Sequence, residues 1–539
     1  MGSLISSAYQ YIFRKRETQW LDIDDFNLDE PAEQNKLMLQ AFEWYVPDDQ
    51  KHWRRLLAAL PSLKAIGVTS IWLPPGCKAM SPSGNGYDIY DLYDLGEFDQ
   101  KGSKATKWGT KEELVALVNK AHEMEIAVIW DTVLNHKAAA DHTEKCVAVR
   151  VDPKDRRKII SKPEEIDAWL GFSFPGRGDK YSRMKYHWYH FTGVDYNARN
   201  KKKGIYKLVG PDNSKDWARD VSKENGNYDY LMFANLDYSH PEVREDVLKW
   251  IQWMGGQLPI AGLRLDAVKH YSASFLKEFI GHVQRTVGPG WFLVAEYWKA
   301  EVRELLEYLG RMDYLVSLFD APLVHRFSQI SRTEGADLRR VFEGTLVKYE
   351  RKHAVTFVMN HDTQPSQSLE EPIEDFFKPL AYALILLRKE GHPCLFYGDL
   401  YGMCGGCEGI LRPSCNDRLA DLALARKLYA YGRQRDYFDR KNCIGFVRLG
   451  DSAHPDGLAC VLSNGPADTK RMFVGKAHAG SIWTEVYGYC RSRIKIDSRG
   501  YGVFGVVSRS VSVWVREDAT GRASFGKFDS DIYSYLVTE

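Results

Sequence analysis

The sequence of 539 residues lacks the features that place a chain across a membrane, on nucleic acid or in an oxidising compartment. No run is long and apolar enough to span a bilayer, and the N-terminus carries no signal-peptide core. Lys and Arg number 73 against 72 Asp and Glu, so net charge does not steer the chain towards nucleic acid. The nine cysteines are odd in number and scattered, and no Asn-x-Ser/Thr sequence occurs. We therefore expect a cytoplasmic protein with reduced thiols.

Residues 1–35 form a polar N-terminal extension whose opening matches the pattern for N-myristoylation, with Gly2 as the acceptor. The basic cluster at residues 14–16 supplies the second signal that a single acyl chain needs for membrane binding. The pattern is short, and the alternative is an unmodified tail. If Gly2 is lipidated, the extension predicts peripheral contact at the cytoplasmic membrane face.

Beyond the extension, short apolar runs alternate with amphipathic helical patterns. The runs cover residues 37–42, 68–73, 127–131, 261–266, 292–296, 314–320, 354–362 and 393–399. Eight strands with helices between them predict an α/β fold, a (β/α)₈ TIM barrel.

Two segments do not fit the repeating pattern of the barrel. More than a hundred residues separate the third strand from the fourth, which is too long for an ordinary loop and predicts an inserted domain. The last hundred residues consist of short β runs with turns, which predict an all-β sandwich. The predicted division is an N-terminal extension 1–35, barrel 36–136, inserted domain 137–237, barrel 238–432 and C-terminal sandwich 433–539.

Acidic side chains gather at the predicted strand ends. In a barrel these ends converge on one pocket, and here they carry Asp131, Asp266, Glu296 and Asp362. Arg264 is two residues from Asp266, so on a strand both point to one face, and the guanidinium is expected to keep that carboxylate ionised. Such a cluster can bind a divalent metal, or it can cleave glycosides with one carboxylate as nucleophile and another as proton donor.

Five ordered segments resemble the signatures of the α-amylase family of glycoside hydrolases. They are DTVLNH (131–136), LMFANLD (231–237), GLRLDAVKH (262–270), VAEYW (294–298) and FVMNHD (357–362). The likeness extends from about residue 37 almost to the C-terminus and is strongest to the bacterial liquefying α-amylases. Intracellular fungal members share this bacterial-type likeness, so a fungal source is compatible with it.

The resemblance implies a retaining mechanism. Asp266 would be the nucleophile, Glu296 the general acid and base, and Asp362 a stabiliser of the distorted sugar. The proton donor must be neutral while the nucleophile is charged. The apolar residues before Glu296 are expected to raise its pKa, whereas Arg264 favours the charged form of Asp266.

The resemblance also implies substrate contacts beside the catalytic carboxylates. His136 and His361 would bind sugar hydroxyls, Tyr87 would stack beneath the ring, and Lys269 would border the leaving-group side. A loop-packing role is the alternative for Tyr87. Arg264 completes the predicted substrate-binding set.

A structural calcium ion between barrel and inserted domain is a further implication. Its ligands would be Asn135, Asp229, Asn235 and the backbone carbonyl of His270, an all-oxygen set that a hard cation prefers. Asn235 stands where the bacterial relatives have Asp, which should weaken the site. Thr192, Ala218 and Ser239 replace the aspartates of an additional metal cluster in those relatives, so we predict one Ca²⁺ and no cluster.

The predicted function is therefore endo-hydrolysis of α-1,4-glucosidic bonds in starch- or glycogen-type glucans or maltooligosaccharides. An alternative is a 4-α-glucanotransferase or an α-glucan-processing factor in cell-wall α-glucan synthesis, because a sugar hydroxyl can intercept the covalent intermediate instead of water. A catalytically quiet glucan-binding scaffold is a third reading, against which the complete acid trio argues.

Overall fold

The computed structural model describes residues 35–211, 214–404 and 410–536. Eight parallel strands close into a barrel in sequence order, and the first pairs with both the second and the eighth. The barrel strands are Met38–Gln40, Ser70–Leu73, Ala127–Thr132, Gly262–Leu265, Phe292–Ala295, Ser317–Phe319, Ala354–Thr356 and His392–Phe396. The predicted TIM barrel is confirmed.

Helices follow the barrel strands and cover the outside of the barrel with their apolar faces. They are His52–Ala65, Lys111–Glu123, Pro241–Gln257, Ala273–Thr286, Val302–Arg311, Ala321–Arg332, Leu346–Tyr349, Lys378–Leu386, Tyr397–Tyr401 and Leu419–Tyr429. Local sequence sets several starts. Thr110 and Glu113 form a capping box before the second helix, and Pro241 lies at the first position of the third.

A seven-stranded sheet occupies the long interval after the third barrel strand. Its strands are His136–Lys137, His142–Asp152, Asp155–Ile159, Glu164–Gly171, Phe191–Asn197, Lys202–Val209 and Ala234–Leu236. The first and last of these strands pair with each other, with Asn235 opposite His136. This pairing returns the chain to the barrel beside the point where it left, and so places both strands at the mouth of the barrel.

The C-terminal part contains two antiparallel sheets. One has six strands, Gln434–Tyr437, Cys443–Arg448, Leu458–Ser463, Ile482–Glu485, Ile494–Lys495 and Ser510–Arg516, and the other pairs Asp468–Phe473 with Tyr501–Val506. Side chains from both sheets, including Trp483, Phe504 and Trp514, share one buried core. The all-β C-terminal domain is therefore confirmed. After the last strand, the chain turns back to the barrel, where the Cys404 thiol donates to the Tyr533 hydroxyl at 3.0 Å.

Within the described ranges, no helix combines the length and the apolar character that a membrane span requires. Gly2 and the rest of residues 1–34 lie outside the described residues.

Candidate active site

Arg264 lies at the centre of the barrel mouth and binds three carboxylates. Its Nη1 donates to Asp131 Oδ1 at 3.0 Å and to Asp266 Oδ1 at 2.5 Å, and its Nη2 donates to Glu296 Oε2 at 2.8 Å. The third, fourth and fifth strands run parallel in register, with Arg264 opposite Asp131 and Val294, which brings these side chains together. The sequence predicted that Arg264 would favour the charged form of Asp266. The structure shows that the guanidinium is shared among three acids.

The backbone turns sharply directly after Asp266. Ala267 adopts a left-handed conformation with φ of 49°, which is rare for a residue with a Cβ and costly unless its surroundings enforce it. In that conformation the Ala267 N–H donates to Glu296 Oε2 at 3.0 Å. Both hydrogen bonds of the Glu296 carboxyl group thus fall on Oε2, and Oε1 is the oxygen left to carry a proton.

His361 and Asp362 follow the seventh strand. Gln40 Nε2 donates to His361 Nδ1 at 3.0 Å, so Nδ1 is the acceptor and Nε2 carries the hydrogen. His361 Nε2 lies 3.3 Å from Asp362 Oδ2. Burial lowers the pKa of His361 to about 3, which keeps the ring neutral near neutral pH. Gln40 therefore fixes the tautomer that presents an N–H towards the pocket.

Aromatic rings hold the Asp131 carboxylate and form one wall of the mouth. The Tyr87 hydroxyl and the Trp72 indole N–H donate to Asp131 Oδ2 at 2.8 and 2.9 Å. The Tyr87 ring lies nearly parallel to His361, with centroids 4.8 Å apart, and Trp44 lies parallel to both at 6.0 and 6.1 Å. The phenol of Tyr87 is thereby fixed in position by its own hydrogen bond.

Asp131, Asp266 and Asp362 hold protons more tightly than isolated acids, because their pKa values are raised. Burial raises the pKa of Asp266 well above its ordinary value, and Arg264 only partly opposes this effect. Burial also raises the pKa values of Asp131 and Asp362. The expectation that Arg264 alone keeps Asp266 readily ionised is wrong in this respect, since one guanidinium cannot offset the burial and mutual repulsion of four carboxyl groups.

Two predicted substrate contacts already have partners within the protein. His136 Nε2 donates to the Tyr87 backbone carbonyl at 2.7 Å, and its Nδ1 accepts from Asn135 Nδ2 at 3.1 Å. Both ring nitrogens are therefore engaged, and a sugar hydroxyl could bind His136 only by displacing one of these partners. Lys269 Nζ donates to Glu224 Oε2 and to the Trp298 carbonyl, each at 3.2 Å.

Oxygen atoms suited to a hard cation converge between the barrel and the inserted domain. Asn135 and Asn235 use their amide nitrogens in hydrogen bonds, to His136 and to Thr192, and among the described residues their buried Oδ1 atoms have no donor. Thr192 also donates to Asp229 Oδ2 at 3.3 Å. Burial raises the pKa of Asp229 to about 8. Unpaired buried amide oxygens beside a buried carboxyl group fit a calcium ion.

The ring of His270 makes a structural hydrogen bond beside the candidate cation site. Its ring Nδ1 donates to the Tyr228 carbonyl at 2.9 Å, and burial lowers its pKa to about 3. The ring is thus a neutral structural donor, and the ligand role of the backbone carbonyl of His270 stays a prediction.

Sequence reasoning missed a histidine-rich group at the start of the helix Pro241–Gln257. Potential ligand atoms of His190, His240 and Glu242 lie within 4.8 Å of one another. His190 Nδ1, however, accepts from the His187 backbone N–H, so Nε2 carries a hydrogen that it donates to Glu242 at 2.8 Å. That tautomer supports a hydrogen-bonded cluster and does not favour a metal on His190 Nε2.

The C-terminal mouth of the (β/α)₈ barrel holds four carboxyl groups, one guanidinium and aromatic walls. This arrangement is typical of a glycoside hydrolase whose reaction uses a pair of carboxyl groups. Residues 52–442 match the family model described as "Alpha amylase, catalytic domain". The chain therefore belongs to the α-amylase family, and it is an endo-acting α-amylase.

Two relatives support this assignment, and one solved structure shares the fold. The chain is 45% identical over 487 residues to the "Alpha-amylase" of Bacillus licheniformis, covering 90% of this chain and 94% of that protein. It is 41% identical to the "Cytoplasmic alpha-amylase" of Escherichia coli (strain K12), and the match covers 90% of this chain and 99% of that protein. The crystal structure of an α-amylase from Geobacillus thermoleovorans, complexed with acarbose, covers 91% of this chain with a TM-score of 0.60. At 18% identity, that likeness shows the fold alone.

Proposed function

We propose that Asp266 is the nucleophile and Glu296 the general acid and base of a retaining reaction on α-1,4-glucans, with Asp362 binding sugar hydroxyls. The observation that carries this proposal is the bridge from Arg264 to both Asp266 and Glu296. The bridge holds the two carboxyl groups close together at the ends of neighbouring strands, so that they can flank one glycosidic bond.

In the first step, Asp266 forms a bond to the anomeric carbon with the oxygen that Arg264 does not bind. The glycosidic bond breaks as Glu296 Oε1 gives its proton to the leaving oxygen. In the second step, the deprotonated Glu296 takes a proton from water, whose oxygen bonds to the anomeric carbon and displaces Asp266. Both carboxyl groups return to their starting states, and two inversions retain the configuration.

The hydrogen-bond pattern supports this division of roles. Glu296 accepts two hydrogen bonds at Oε2, which orients Oε1 and leaves it free to exchange the proton. His361, in its fixed tautomer, presents an N–H beside Asp362, and together these groups can bind adjacent hydroxyls. Tyr87 would support the sugar ring, His136 would hold the Tyr87 backbone in place, and Lys269 would meet the leaving-group side.

We further propose that Asn135, Asp229, Asn235 and the His270 carbonyl hold one structural Ca²⁺. A bound divalent cation would supply positive charge that favours ionised Asp229, and it would satisfy the unpaired amide oxygens. Because Asn135 also donates to His136, the ligand set is contiguous with the active site.

The cellular setting is part of the proposal. The Escherichia coli relative is named a cytoplasmic α-amylase, which supports a cytoplasmic location for this chain and hence intracellular glucans or maltooligosaccharides as substrates. Lipidation of Gly2, with contact at the cytoplasmic membrane face, remains a sequence prediction. Mass spectrometry of the N-terminal peptide from a eukaryotic host tests it, and an unmodified Gly2 would refute it.

Product analysis from maltoheptaose tests the reaction. Hydrolysis gives only shorter products, whereas a 4-α-glucanotransferase also gives longer ones. Asp266→Asn and Glu296→Gln should each abolish turnover. Asp320→Asn is a matched control, because Asp320 is a buried acid directly after the sixth strand but accepts backbone N–H groups from Leu323, Leu346 and Val347. Turnover by Asp266→Asn at the wild-type rate would refute the assigned nucleophile.

A further inference from the structure

Residues 517–535, the C-terminal strap, run from the end of the last strand back across the outside of the barrel. The Thr520 carbonyl accepts from the Tyr429 hydroxyl at 2.8 Å, and the Gly526 N–H donates to Asp421 Oδ1 at 2.8 Å. The strap lies outside the segment that matches the family model. These bonds fasten it to the last helix of the barrel at two separate points.

Tyr533, near the end of the strap, contacts the barrel through both its ring and its hydroxyl. The hydroxyl accepts from the Cys404 thiol at 3.0 Å, and the Arg55 guanidinium lies 4.8 Å from the ring centroid. The preceding residue, Ile532, is fully buried. Burial raises the pKa of Tyr533, which keeps the hydroxyl neutral. Tyr533 thus ties Cys404 to the helix His52–Ala65, which carries Arg55.

Cys404 is also bonded to a fully buried acid directly after the first barrel strand. The Cys404 N–H donates to Glu43 Oε1 at 3.1 Å. Glu43 Oε2 accepts the Tyr45 N–H at 2.7 Å and Gln364 Nε2 at 3.0 Å. Three N–H groups therefore hold this acid in place. Loss of a donor from a buried acid is costly, so the positions of Cys404 and Glu43 depend on each other.

Gln364 connects this acid to the aromatic wall of the mouth. Its Oε1 accepts the Trp44 N–H at 2.9 Å. The Trp44 ring is partly exposed and stacks on the Tyr87 ring at a centroid distance of 6.0 Å. A path of four hydrogen bonds thus runs from Tyr533 on the strap to the backbone of Trp44 in the wall.

We propose that Tyr533 is a positioning residue for substrate binding, which acts through the Trp44 wall. Loss of its side chain releases Cys404, and the bonded groups beyond it then no longer hold the Trp44 backbone. The inference rests on the proposed function, in which Tyr87, the stacking partner of Trp44, supports the sugar ring. The catalytic carboxyl groups are not on this path. Loss of Tyr533 therefore weakens binding of the ground state and of the transition state alike, and leaves the chemical step unchanged.

Steady-state kinetics of the full-length Tyr533→Ala enzyme on maltoheptaose test the proposal. KM should rise about three- to tenfold, the factor that one net hydrogen bond contributes to an equilibrium, while kcat stays within about twofold of the wild-type value. Tyr533→Phe keeps the ring beside Arg55 and should raise KM less. Tyr535→Ala is the matched control, because the Tyr535 hydroxyl donates to the Asp529 carbonyl at 2.9 Å, within the strap. That variant should keep the wild-type KM.

A double-mutant cycle separates positioning from general destabilisation. Trp44→Ala should itself raise KM, and adding Tyr533→Ala should raise it no further, because the residue through which Tyr533 acts is gone. Tyr533→Phe carries the same cycle if the alanine variant does not fold.

Three results would overturn the inference: an unchanged KM in the folded Tyr533 variant, an equal fold rise in both backgrounds of the cycle, or an equal rise in Tyr535→Ala. Failure of the wild-type enzyme to hydrolyse maltoheptaose would instead overturn the proposed function.

Discussion

Removal of the Arg264 guanidinium should move the acid limb of the pH–rate profile to higher pH. Asp266 acts in its ionised form, burial raises its pKa, and Arg264 opposes that rise. In Arg264→Gln the opposing charge is gone, so the pKa of Asp266 should rise further. The enzyme then needs a higher pH before the nucleophile is ionised, and kcat/KM falls about tenfold for each pH unit below the new limb.

The structure sets the size of this shift. Arg264 Nη1 contacts Asp266 Oδ1 at 2.5 Å. Two unit charges about 4 Å apart attract by about 4 kcal/mol at an effective dielectric constant of about 20. At about 1.36 kcal/mol per pKa unit, that corresponds to a shift of about 3 units. Because Arg264 is shared with Asp131 and Glu296, whose protonation adjusts when it is lost, this value is an upper bound.

The assay is kcat/KM against pH on a chromogenic maltooligosaccharide. Loss of one partner from a buried ion pair also destabilises the fold, by about 3–5 kcal/mol, so unfolding must be separated from the pKa effect. Arg177→Gln is the matched control, since the Arg177 side chain is 1% exposed and pairs with Asp91 at 2.7 Å. It should lower stability but leave the acid limb in place. Arg264→Lys keeps a charge and should shift the limb less; an unshifted limb in folded Arg264→Gln would refute the reasoning.

Three further outcomes follow from the same geometry. Gln40→Leu removes one hydrogen bond to His361 and should lower kcat/KM about tenfold. The pH profile should not change, because the pKa of the His361 ring is about 3. Steady-state kinetics measured against pH check both points. Asp266→Asn should raise Tm at pH 8 but not at pH 4. Burial raises the pKa of Asp266 in the folded state, so ionisation of this carboxyl group destabilises the native state as pH rises. A calorimetric Tm that falls at pH 8 on this substitution would contradict the prediction. Asn235→Asp should tighten calcium binding about tenfold by adding an anionic ligand, as measured by chelator competition, and unchanged affinity would argue against Asn235 as a ligand.

The barrel could be predicted because its strands are short apolar runs with regular helical intervals. The prediction overestimated strand length where a turn begins within an apolar run. The seventh run was predicted over 354–362, whereas the strand ends at Thr356. Farther along, Asn360 Oδ1 accepts the N–H groups of Asp362 and Thr363 at 3.0 and 2.9 Å, which forms a turn and projects the acid into the mouth.

The carboxylate cluster could also be predicted, since the ends of parallel barrel strands converge whatever their separation in sequence. Its hydrogen-bond partners could not. Gln40 and His361 are 321 positions apart and meet only because the barrel closes between its first and eighth strands. The shared Arg264 likewise depends on the register of three strands, and no periodicity in the sequence reports that register.

The point where the C-terminal sandwich ends could not be predicted from the sequence either. The β pattern predicted one sandwich over 433–539, but the chain beyond Arg516 leaves the sheet, and Tyr533 contacts Cys404 and the Arg55 guanidinium on the barrel. Short irregular segments have no repeating pattern, so only tertiary contacts reveal where they pack. The domain division itself stays a prediction.

The shared Arg264 guanidinium does not account for the different protonation states that the nucleophile and the acid need. Arg264 binds Asp266 and Glu296 alike, so its charge cannot by itself ionise one and protonate the other. The Ala267 N–H reaches Glu296 because Ala267 adopts the left-handed conformation. An N–H donor favours the charged form of a carboxyl group, so this bond selects which Glu296 oxygen is free and does not itself protonate the group. That bond occupies Oε2 and leaves Oε1 to hold the proton, while Asp266 keeps an oxygen free for attack. The placement of the catalytic proton therefore depends on one backbone conformation immediately after the nucleophile as well as on the surrounding charge.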